Sequence, residues 1–341
     1  MRIIKLLLLI LVMQGCKKLY FNEPDNTPVN NFEIFWKDFD RYYGQFDIRH
    51  VNWDSVYEIY HSKINANTTD KELFSVFNNM IQSLRDGHVN LYTPIGVAGY
   101  NVFPYNYFGN QLINPNKYIS FSTLQNSAIE FGTIHSSKFG YIFIGTFYSN
   151  EFGLADPRFN LIDDILQQYK DKDGIIIDVR SNGGGNSANA VTIASRFADS
   201  RRLYYKQRFR NGPAKNDYSD WIDFYIEPQG KIQFTKPVVV LTSLCTYSAA
   251  ELFTSAMSVL PNVTIVGDTT AGGIGYPVYG ELLNGWSYRL STSVGAMANG
   301  NIIDGNGIIP QVVVSPAKID SITPYSRDIM LEKAIQVLNS K

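Results

Sequence analysis

Residues 174–186 read Gly-Ile-Ile-Ile-Asp-Val-Arg-Ser-Asn-Gly-Gly-Gly-Asn, and this stretch decides the fold class. Its first half is a short apolar run that is typical of a strand buried on both faces. Three consecutive glycines follow where that strand ends, and a helical pattern runs from Ala188 to Phe197. A buried strand that leads through a flexible turn into a helix predicts one unit of a layered α/β core.

The same alternation of strands and helices continues on both sides of this stretch, which favours parallel pairing of the core strands. Asn284-Gly285 separates two alternating segments and predicts a hairpin added late in that core. The further predicted elements are the strands Tyr141–Phe147, Val238–Leu241 and Val263–Val266 and the helices Phe159–Tyr169 and Ser248–Leu260.

Apolar residues before the core recur at helical spacing, first from Phe32 to Tyr43 and then from Trp53 to Ile64. A third helix is expected to begin after Thr69 and to end near Leu84, because Thr69 and Glu72 form a capping-box pattern. The sequence therefore predicts a small helical N-terminal domain over residues 31–95. A connecting segment over 96–137 and an α/β core over 138–341 follow it.

The first sixteen residues have the pattern of a secretory signal: basic residues, the apolar run Leu6 to Met13, and then Gly15-Cys16. The run is too short to span a bilayer as a helix. A Gly-Cys pair at this point resembles the bacterial lipoprotein signal, which implies a lipidated Cys16 and a location in the cell envelope. An ordinary signal peptide is the alternative, because Gln14 is unusual for the lipoprotein motif. Residues 17–30 are polar and predict a flexible tether.

The charge and the cysteine content of the chain limit the binding partners and the covalent cross-links that are expected. The 341-residue chain has 30 Lys and Arg against 31 Asp and Glu, with a formal net charge of -1, so it lacks the positive field that nucleic-acid binding uses. Beside Cys16 the chain has only Cys245, which is expected to be a small buried residue. No disulfide between the two is therefore expected.

Three segments place polar or flexible residues where a strand or helix ends: Leu84-Arg85-Asp86-Gly87-His88-Val89, residues 178–185, and Thr246-Tyr247-Ser248-Ala249-Ala250-Glu251. A Ser between a strand and a helix lies where peptide N–H groups can stabilise an adjacent anion. Consecutive glycines let the backbone approach a substrate carbonyl, and their N–H groups can bind an oxyanion. A neutral His is a suitable base for the serine proton. Together these segments predict a serine hydrolase.

The segments LRDGHV, DVRSNGGGN, TYSAAELF and DGNGIIPQ, in this order, resemble the tail-specific (carboxyl-terminal processing) serine peptidases, a family that includes the core domains of tricorn protease. The resemblance extends from about Phe32 to Val314. It implies a crotonase-like layered spiral core with a helical N-terminal domain, and a peptide or protein substrate. It implies no metal or organic cofactor. A PDZ-like docking module is not expected, because the segment Pro94 to Ser137 is shorter than a typical domain.

Some members of the family use a Ser-Lys pair, but no Lys occurs here between Ser248 and Lys318. The tricorn-like arrangement implies instead Ser248 as nucleophile, His88 as base and Asp304 as the acid that orients the imidazole. The chain departs from that arrangement in having Gly87 where tricorn has a second serine, and Asp304 where Glu is usual. The resemblance also implies oxyanion donors at the N–H groups of Ala249 and of Gly183 or Gly184.

Several alternatives remain open from sequence. Ser248 and Glu251 also form a capping-box pattern, His88 could be a buried structural imidazole, and Asp304-Gly305 is also a turn signal. The main alternative function is a non-catalytic protein on the same fold that binds a peptide or small ligand. A third is an esterase or peptidase-fold protein that serves a polysaccharide-uptake assembly. The natural substrate and the oligomeric state are not encoded in any recognisable pattern.

Overall fold

The computed structural model describes residues 24–103, 115–122, 128–135, 138–150, 153–314 and 327–341. The predicted signal, Cys16 and the first half of the predicted tether lie outside the described residues. So does much of the predicted connecting segment, and the expectation about a PDZ-like module stays a prediction. None of the helices in the described ranges has the length and apolar character needed to cross a lipid bilayer.

The chain begins, where it is described, with a helical region. The first helix starts at Pro28, inside the predicted tether, because the Thr27 side chain accepts the N–H of Asn30 and caps it. Thr69 and Glu72 form the predicted capping box on the fourth helix. The helices of this region are α1 (Pro28–Tyr42), α2 (Phe46–Arg49), α3 (Trp53–His61) and α4 (Asp70–Leu84).

An antiparallel sheet of four strands packs against these helices, and its order is β11-β12-β1-β2. The contact buries aromatic side chains from both sides, among them Phe35, Phe77 and Tyr288. The predicted hairpin is formed around Asn284-Gly285, but it pairs with the strand that follows His88 rather than with the core sheet. The strands are β1 (Asn90–Thr93), β2 (Gly96–Gly99), β11 (Pro277–Glu281) and β12 (Ser287–Ser291).

A mixed sheet of seven strands forms the core, with the order β14-β10-β9-β6-β5-β4-β3. Its centre is parallel, as the sequence predicts, and β3, β4 and β5 pair antiparallel at one side. The predicted α/β class with a small helical N-terminal region is confirmed. The strands are β3 (Ile119–Ser122), β4 (Ile129–Ile134), β5 (Phe139–Ile144), β6 (Gly174–Asp178), β9 (Val238–Thr242), β10 (Val263–Gly267) and β14 (Val312–Val313).

Helices cover both faces of this sheet, which explains why β6 and β9 are buried along their whole length. Ile175 and Ile177 belong to the core on one face, whereas Ile176 belongs to the core on the other. The C-terminal helix contributes to the second core through Met330 and Leu338. These helices are α5 (Leu161–Gln168), α6 (Ser187–Ala194), α7 (Ala249–Ser258) and α8 (Ile329–Asn339).

A third, antiparallel sheet has the order β13-β7-β8. Tyr205 is part of the main core, and the partly buried Phe224 packs against that core. Arg208 lies over the rings of Tyr218 and Trp221, which belong to the connection between β7 and β8. The strands are β7 (Arg202–Phe209), β8 (Ile222–Ile226) and β13 (Ser293–Met297).

Candidate active site

Ser248 is the residue immediately before helix α7, at the end of the loop that follows strand β9. Its backbone has φ 56° and ψ -121°, a conformation that costs a non-glycine residue free energy and that is often found at functional sites. Its side chain makes no capping hydrogen bond. Instead, Oγ lies 3.1 Å from Nε2 of His88. The hydroxyl is therefore directed at the imidazole rather than at the helix backbone.

The parallel core sheet explains why the Ser248 loop meets the glycine turn. Strands β6 and β9 are parallel neighbours, so their carboxyl ends lie at the same edge of the sheet. Thr246 Oγ1 donates to the Val179 carbonyl at 2.9 Å, and the Tyr247 N–H donates to the Asn182 carbonyl at 3.0 Å. These bonds fix the segment before Ser248 against the turn that follows β6.

His88 reaches the site from the opposite side, in the short connection between helix α4 and strand β1. The Asp86 carboxylate accepts the His88 backbone N–H at 2.9 Å, and Arg289 Nε donates to the His88 carbonyl at 2.8 Å. The Tyr247 ring packs on the imidazole with ring centroids 4.8 Å apart. His88 is thus held by its backbone on both sides and by an aromatic face.

Burial dominates the electrostatics of His88. The side chain is only 6% exposed, and burial lowers the pKa of His88 to about 4. The Asp86 carboxylate opposes this effect and favours the charged imidazolium, whereas Arg289 and Arg49 lower the pKa further. The imidazole is therefore neutral at pH 7, in the state that accepts a proton.

The glycine turn lies against the nucleophile. Gly184 has φ +100°, and a Cβ on it would lie 2.7 Å from Cβ of Ser248 and 3.0 Å from the backbone N of Ala249. The Gly184 N–H donates to Oδ1 of Asn182 at 2.9 Å, so it is not a free oxyanion donor. Within the described residues, the N–H groups of Gly183 and Ala249 make no hydrogen bond. Gly183 and Ala249 are thus the available donors of the three residues predicted.

Asp304 does not form a hydrogen bond or ion pair with His88 among the described residues. Its carboxylate is fully buried and accepts three backbone N–H groups, which belong to Ile274, Gly275 and Gly295, at 2.9, 2.8 and 2.7 Å. Burial raises the pKa of Asp304 to about 6, against the opposing effect of these donors. The structure therefore differs from the prediction that Asp304 contacts the imidazole, because backbone donors occupy both carboxylate oxygens.

Glu251 forms part of the predicted capping box, because it accepts the Ser248 N–H at 3.2 Å. The same carboxylate accepts the N–H groups of Gly272 and Gly273, each at 2.8 Å, and the hydroxyl of Thr270 at 2.5 Å. Burial raises the pKa of Glu251 to about 7. Glu251 thus joins the start of α7 to a glycine-rich segment near the site.

Asp86, Arg49 and Arg289 surround His88 and have no role in the sequence-based prediction. Asp86 is 1% exposed and lies 4.0 Å from Arg49. The spacing of Asp86 two residues before His88 is a local signal, because an Asp at that distance can accept the backbone N–H. Arg289 has no such signal, because it comes from the distant strand β12.

In the part of the chain that the structure describes, no three His, Cys, Asp or Glu side chains are grouped so that they could hold a metal ion. Cys245 is buried, and burial raises the pKa of its thiol to about 11.

Comparison with protein families identifies two matches. Residues 138–314 match the family model described as peptidase family S41, and residues 24–82 match the tricorn protease C1 domain. A carboxy-terminal processing protease of Bacillus subtilis is 30% identical over 145 residues, which cover 42% of this chain and 29% of that protein. The chain spans less than half the length of the curated relatives it matches.

Solved structures share the fold. A crystal structure of a protein from Parabacteroides merdae, proposed to be a peptidase, has a TM-score of 0.81 and 31% identity. The alignment covers 92% of this chain and 97% of that one. The photosystem II D1 C-terminal processing protease has a TM-score of 0.54 at 15% identity over 93% of this chain and 98% of its own, which shows a common fold.

Proposed function

Because this chain belongs to peptidase family S41, we propose that it is an endopeptidase that cleaves polypeptide substrates through an acyl-enzyme on Ser248. The observation that carries the proposal is the 3.1 Å separation of Ser248 Oγ and His88 Nε2. This distance is within the range expected for a nucleophile and its general base. The capping alternative for Ser248 does not account for the direction of its hydroxyl.

The reaction follows from the states of these two residues. Neutral His88 accepts the Ser248 proton at Nε2 while Oγ attacks the carbonyl carbon of the scissile peptide, and the carbonyl π electrons move to its oxygen. When the intermediate collapses, the C–N bond breaks and the imidazolium gives its proton to the leaving amine. Water then hydrolyses the ester with His88 again as base. The Asp86 carboxylate favours the transient imidazolium.

The N–H groups of Gly183 and Ala249 are the proposed oxyanion donors. Ala249 follows Ser248 in the chain, and Gly183 precedes Gly184, whose backbone packs against Ser248. Both N–H groups lack a partner in the described part of the chain. A donor of this kind contributes about 100- to 1000-fold to the rate in other enzymes. Ala249 also begins helix α7, where the aligned peptide dipoles favour a negative charge.

A matched pair of serine variants on one helix tests the proposal. Ser248→Ala is expected to abolish cleavage of an unfolded, fluorescently labelled protein substrate such as casein. Ser258→Ala, at the far end of α7, removes a hydroxyl that bonds only its own helix backbone and should retain wild-type activity. Cleavage that persists in purified Ser248→Ala would contradict the proposed nucleophile. If neither variant nor the wild type cleaves peptides or esters, the non-catalytic binding function is favoured.

We also propose that the mature chain is anchored in the cell envelope by lipid on Cys16. The support is the sequence alone: the apolar run before Gly15-Cys16 and the basic residues that precede it. Radiolabelled fatty acid should enter the wild-type protein in a bacterial host and should not enter Cys16→Ala. Equal labelling of the two proteins would show that Cys16 carries no lipid.

A further inference from the structure

The segment Gly272–Gly275 is held by two buried carboxylates at four successive peptide N–H groups. Glu251 accepts the first two at 2.8 Å each, and Asp304 accepts the next two at 2.9 and 2.8 Å. Neither carboxylate is exposed to solvent. Arg49 adds a bond from its guanidinium to the Gly272 carbonyl at 3.2 Å. Two carboxylates and one guanidinium therefore fix the backbone position of this glycine-rich segment.

This segment lies beside the catalytic base: a Cβ on Gly273 would lie 2.4 Å from Cζ of Tyr247, whose ring packs on the His88 imidazole. The Gly275 backbone interacts with the His88 imidazole and favours its protonated form. The Nδ1 atom of His88 is buried and makes no well-formed hydrogen bond within the described residues. A neutral imidazole that accepts the Ser248 hydroxyl at Nε2 carries its hydrogen on Nδ1, so Nδ1 requires an acceptor.

Close packing leaves the Gly275 backbone little freedom. A Cβ on Gly275 would lie 2.2 Å from Nε2 of Gln45 and 2.8 Å from Cβ of Ser291. Gln45 is itself fixed by a bond from Nε2 to the Ser293 carbonyl at 3.0 Å. The position of this peptide relative to His88 therefore depends on the packing around it and on the two carboxylates.

We propose that Glu251 and Asp304 act together as positioning residues for His88, through the backbone. They hold Gly272–Gly275 so that the Gly275 carbonyl accepts the Nδ1–H of His88 during catalysis. The proposal rests on the proposed function of Ser248 and His88. This backbone route replaces a direct carboxylate–imidazole contact, because both carboxylate oxygens of Asp304 already accept peptide N–H groups.

Thr270 offers a test that touches neither Ser248 nor His88. Its hydroxyl donates to Glu251 and accepts the Ile308 N–H at 2.7 Å. Thr270→Val removes these bonds, whereas the matched control Thr270→Ser keeps the hydroxyl. We expect Thr270→Val to lower kcat about tenfold or more with KM within about twofold, because the base is displaced while peptide binding is retained.

Nitrogen-15 NMR of the histidine rings supplies a readout independent of activity. The His88 signal is identified by its loss in His88→Gln. In the wild type and in Thr270→Ser, His88 should be neutral with the hydrogen on Nδ1 at pH 7.5. Thr270→Val should shift His88 toward a mixture of tautomers. If Thr270→Val does not fold, the same His88 signal is measured in Glu251→Gln instead.

Two outcomes overturn the proposal. One is a wild-type His88 whose hydrogen is on Nε2 at neutral pH, a result that needs no variant. The other is a folded Thr270→Val, or a folded Glu251→Gln in its place, with an unchanged His88 signal and unchanged kcat. Failure of the proposed function would be seen differently, as activity that does not depend on Ser248.

Discussion

At the scale of single residues, the site depends on one buried imidazole beside one strained serine. His88 is almost fully buried, and burial lowers its pKa to about 4, well below the 6.5 of an exposed histidine. A buried neutral base avoids the cost of a permanent charge and still lies close to Asp86, which stabilises the charge when it forms. Ser248 occupies a backbone conformation that disfavours most residues, which is typical of a nucleophile at a sharp turn.

The lowered pKa of His88 predicts the acid limb of the activity profile. Because a lower pKa extends the neutral, proton-accepting form to lower pH, kcat/KM should keep its plateau below pH 6.5 and fall only at more acidic pH. If His88 had the pKa of an ordinary histidine, the acid limb of kcat/KM would instead have its midpoint near pH 6.5. The measurement is kcat/KM against pH on a substrate without titratable groups. A midpoint at or above pH 6.5 that persists in Glu251→Gln would contradict the burial argument.

The structure shows some single-residue contacts that the sequence predicts and others that it does not. Ser248 and His88 lie in short local patterns, and the structure brings them together. The contacts of Asp304 could not be predicted, because its three partners come from segments about 10 to 30 residues earlier in the chain. The availability of Gly183 rather than Gly184 depends on one side-chain bond from Asn182, which no glycine pattern encodes.

At the scale of elements, the turn after strand β6 shapes the site. Gly184 has a left-handed backbone conformation, and its backbone also lies directly against Ser248. Each of these two features favours a residue without a side chain. A Cβ on Gly183, by contrast, would meet nothing within 4 Å, and its φ does not lie in the left-handed region. Two adjacent glycines therefore have different structural demands.

A pair of alanine variants tests this difference. Gly184→Ala should lower kcat/KM about 100-fold or more, because the added methyl group crowds Ser248 and the N–H of Ala249. It should also cost about 1 to 3 kcal/mol of unfolding free energy through backbone strain. Gly183→Ala keeps its N–H and should stay within a few-fold of wild type. Comparable losses in the two variants, by kinetics and by denaturant unfolding, would contradict the account.

The end of helix α4 was predicted more closely than the bounds of strand β5, because the signals of that helix are local. The fourth helix ends at Leu84, where the sequence places its end, and it has its predicted capping box. Strand β5 covers Phe139–Ile144 rather than Tyr141–Phe147. Its start is set by pairing with β6, in which Phe139 lies opposite Gly174, and such a partner is not visible in the strand itself.

At the scale of the whole molecule, strands from distant parts of the chain assemble the site. The hairpin around Asn284-Gly285 was predicted as a hairpin, but its partner was not. It pairs with β1, which follows His88, and Arg289 from the hairpin binds the His88 carbonyl. The helical region is thereby joined to the late part of the chain. This pairing has a large sequence separation, so neither local propensity nor hydrophobic period reveals it.

The C-terminal helix is joined to the site end of strand β6 by a buried charge cluster. Arg180 lies 2.6 Å from Asp178 and 2.8 Å from Asp328, with all three side chains mostly buried. Arg180→Ala should therefore lower the unfolding free energy by about 3 to 5 kcal/mol, because it leaves two carboxylates without their partner.

The matched control for Arg180 is Arg202, which pairs with Asp199 at 2.8 Å but is far more exposed. Arg202→Ala should cost no more than about 1 kcal/mol, because exposed ion pairs contribute little. Equilibrium unfolding of both variants in urea measures the difference. Equal losses would show that burial does not set the contribution of the Arg180 cluster.

The most direct test of the central claim is covalent labelling of Ser248. Wild-type protein is treated with a fluorophosphonate probe at pH 7.5, and the modified residue is mapped by mass spectrometry of its peptides. One adduct per chain is expected on Ser248, with a labelling rate at least about 100-fold lower in folded His88→Ala, because the base is lost. No labelling of the wild type, or labelling on Ser248 at the same rate without His88, would contradict the account.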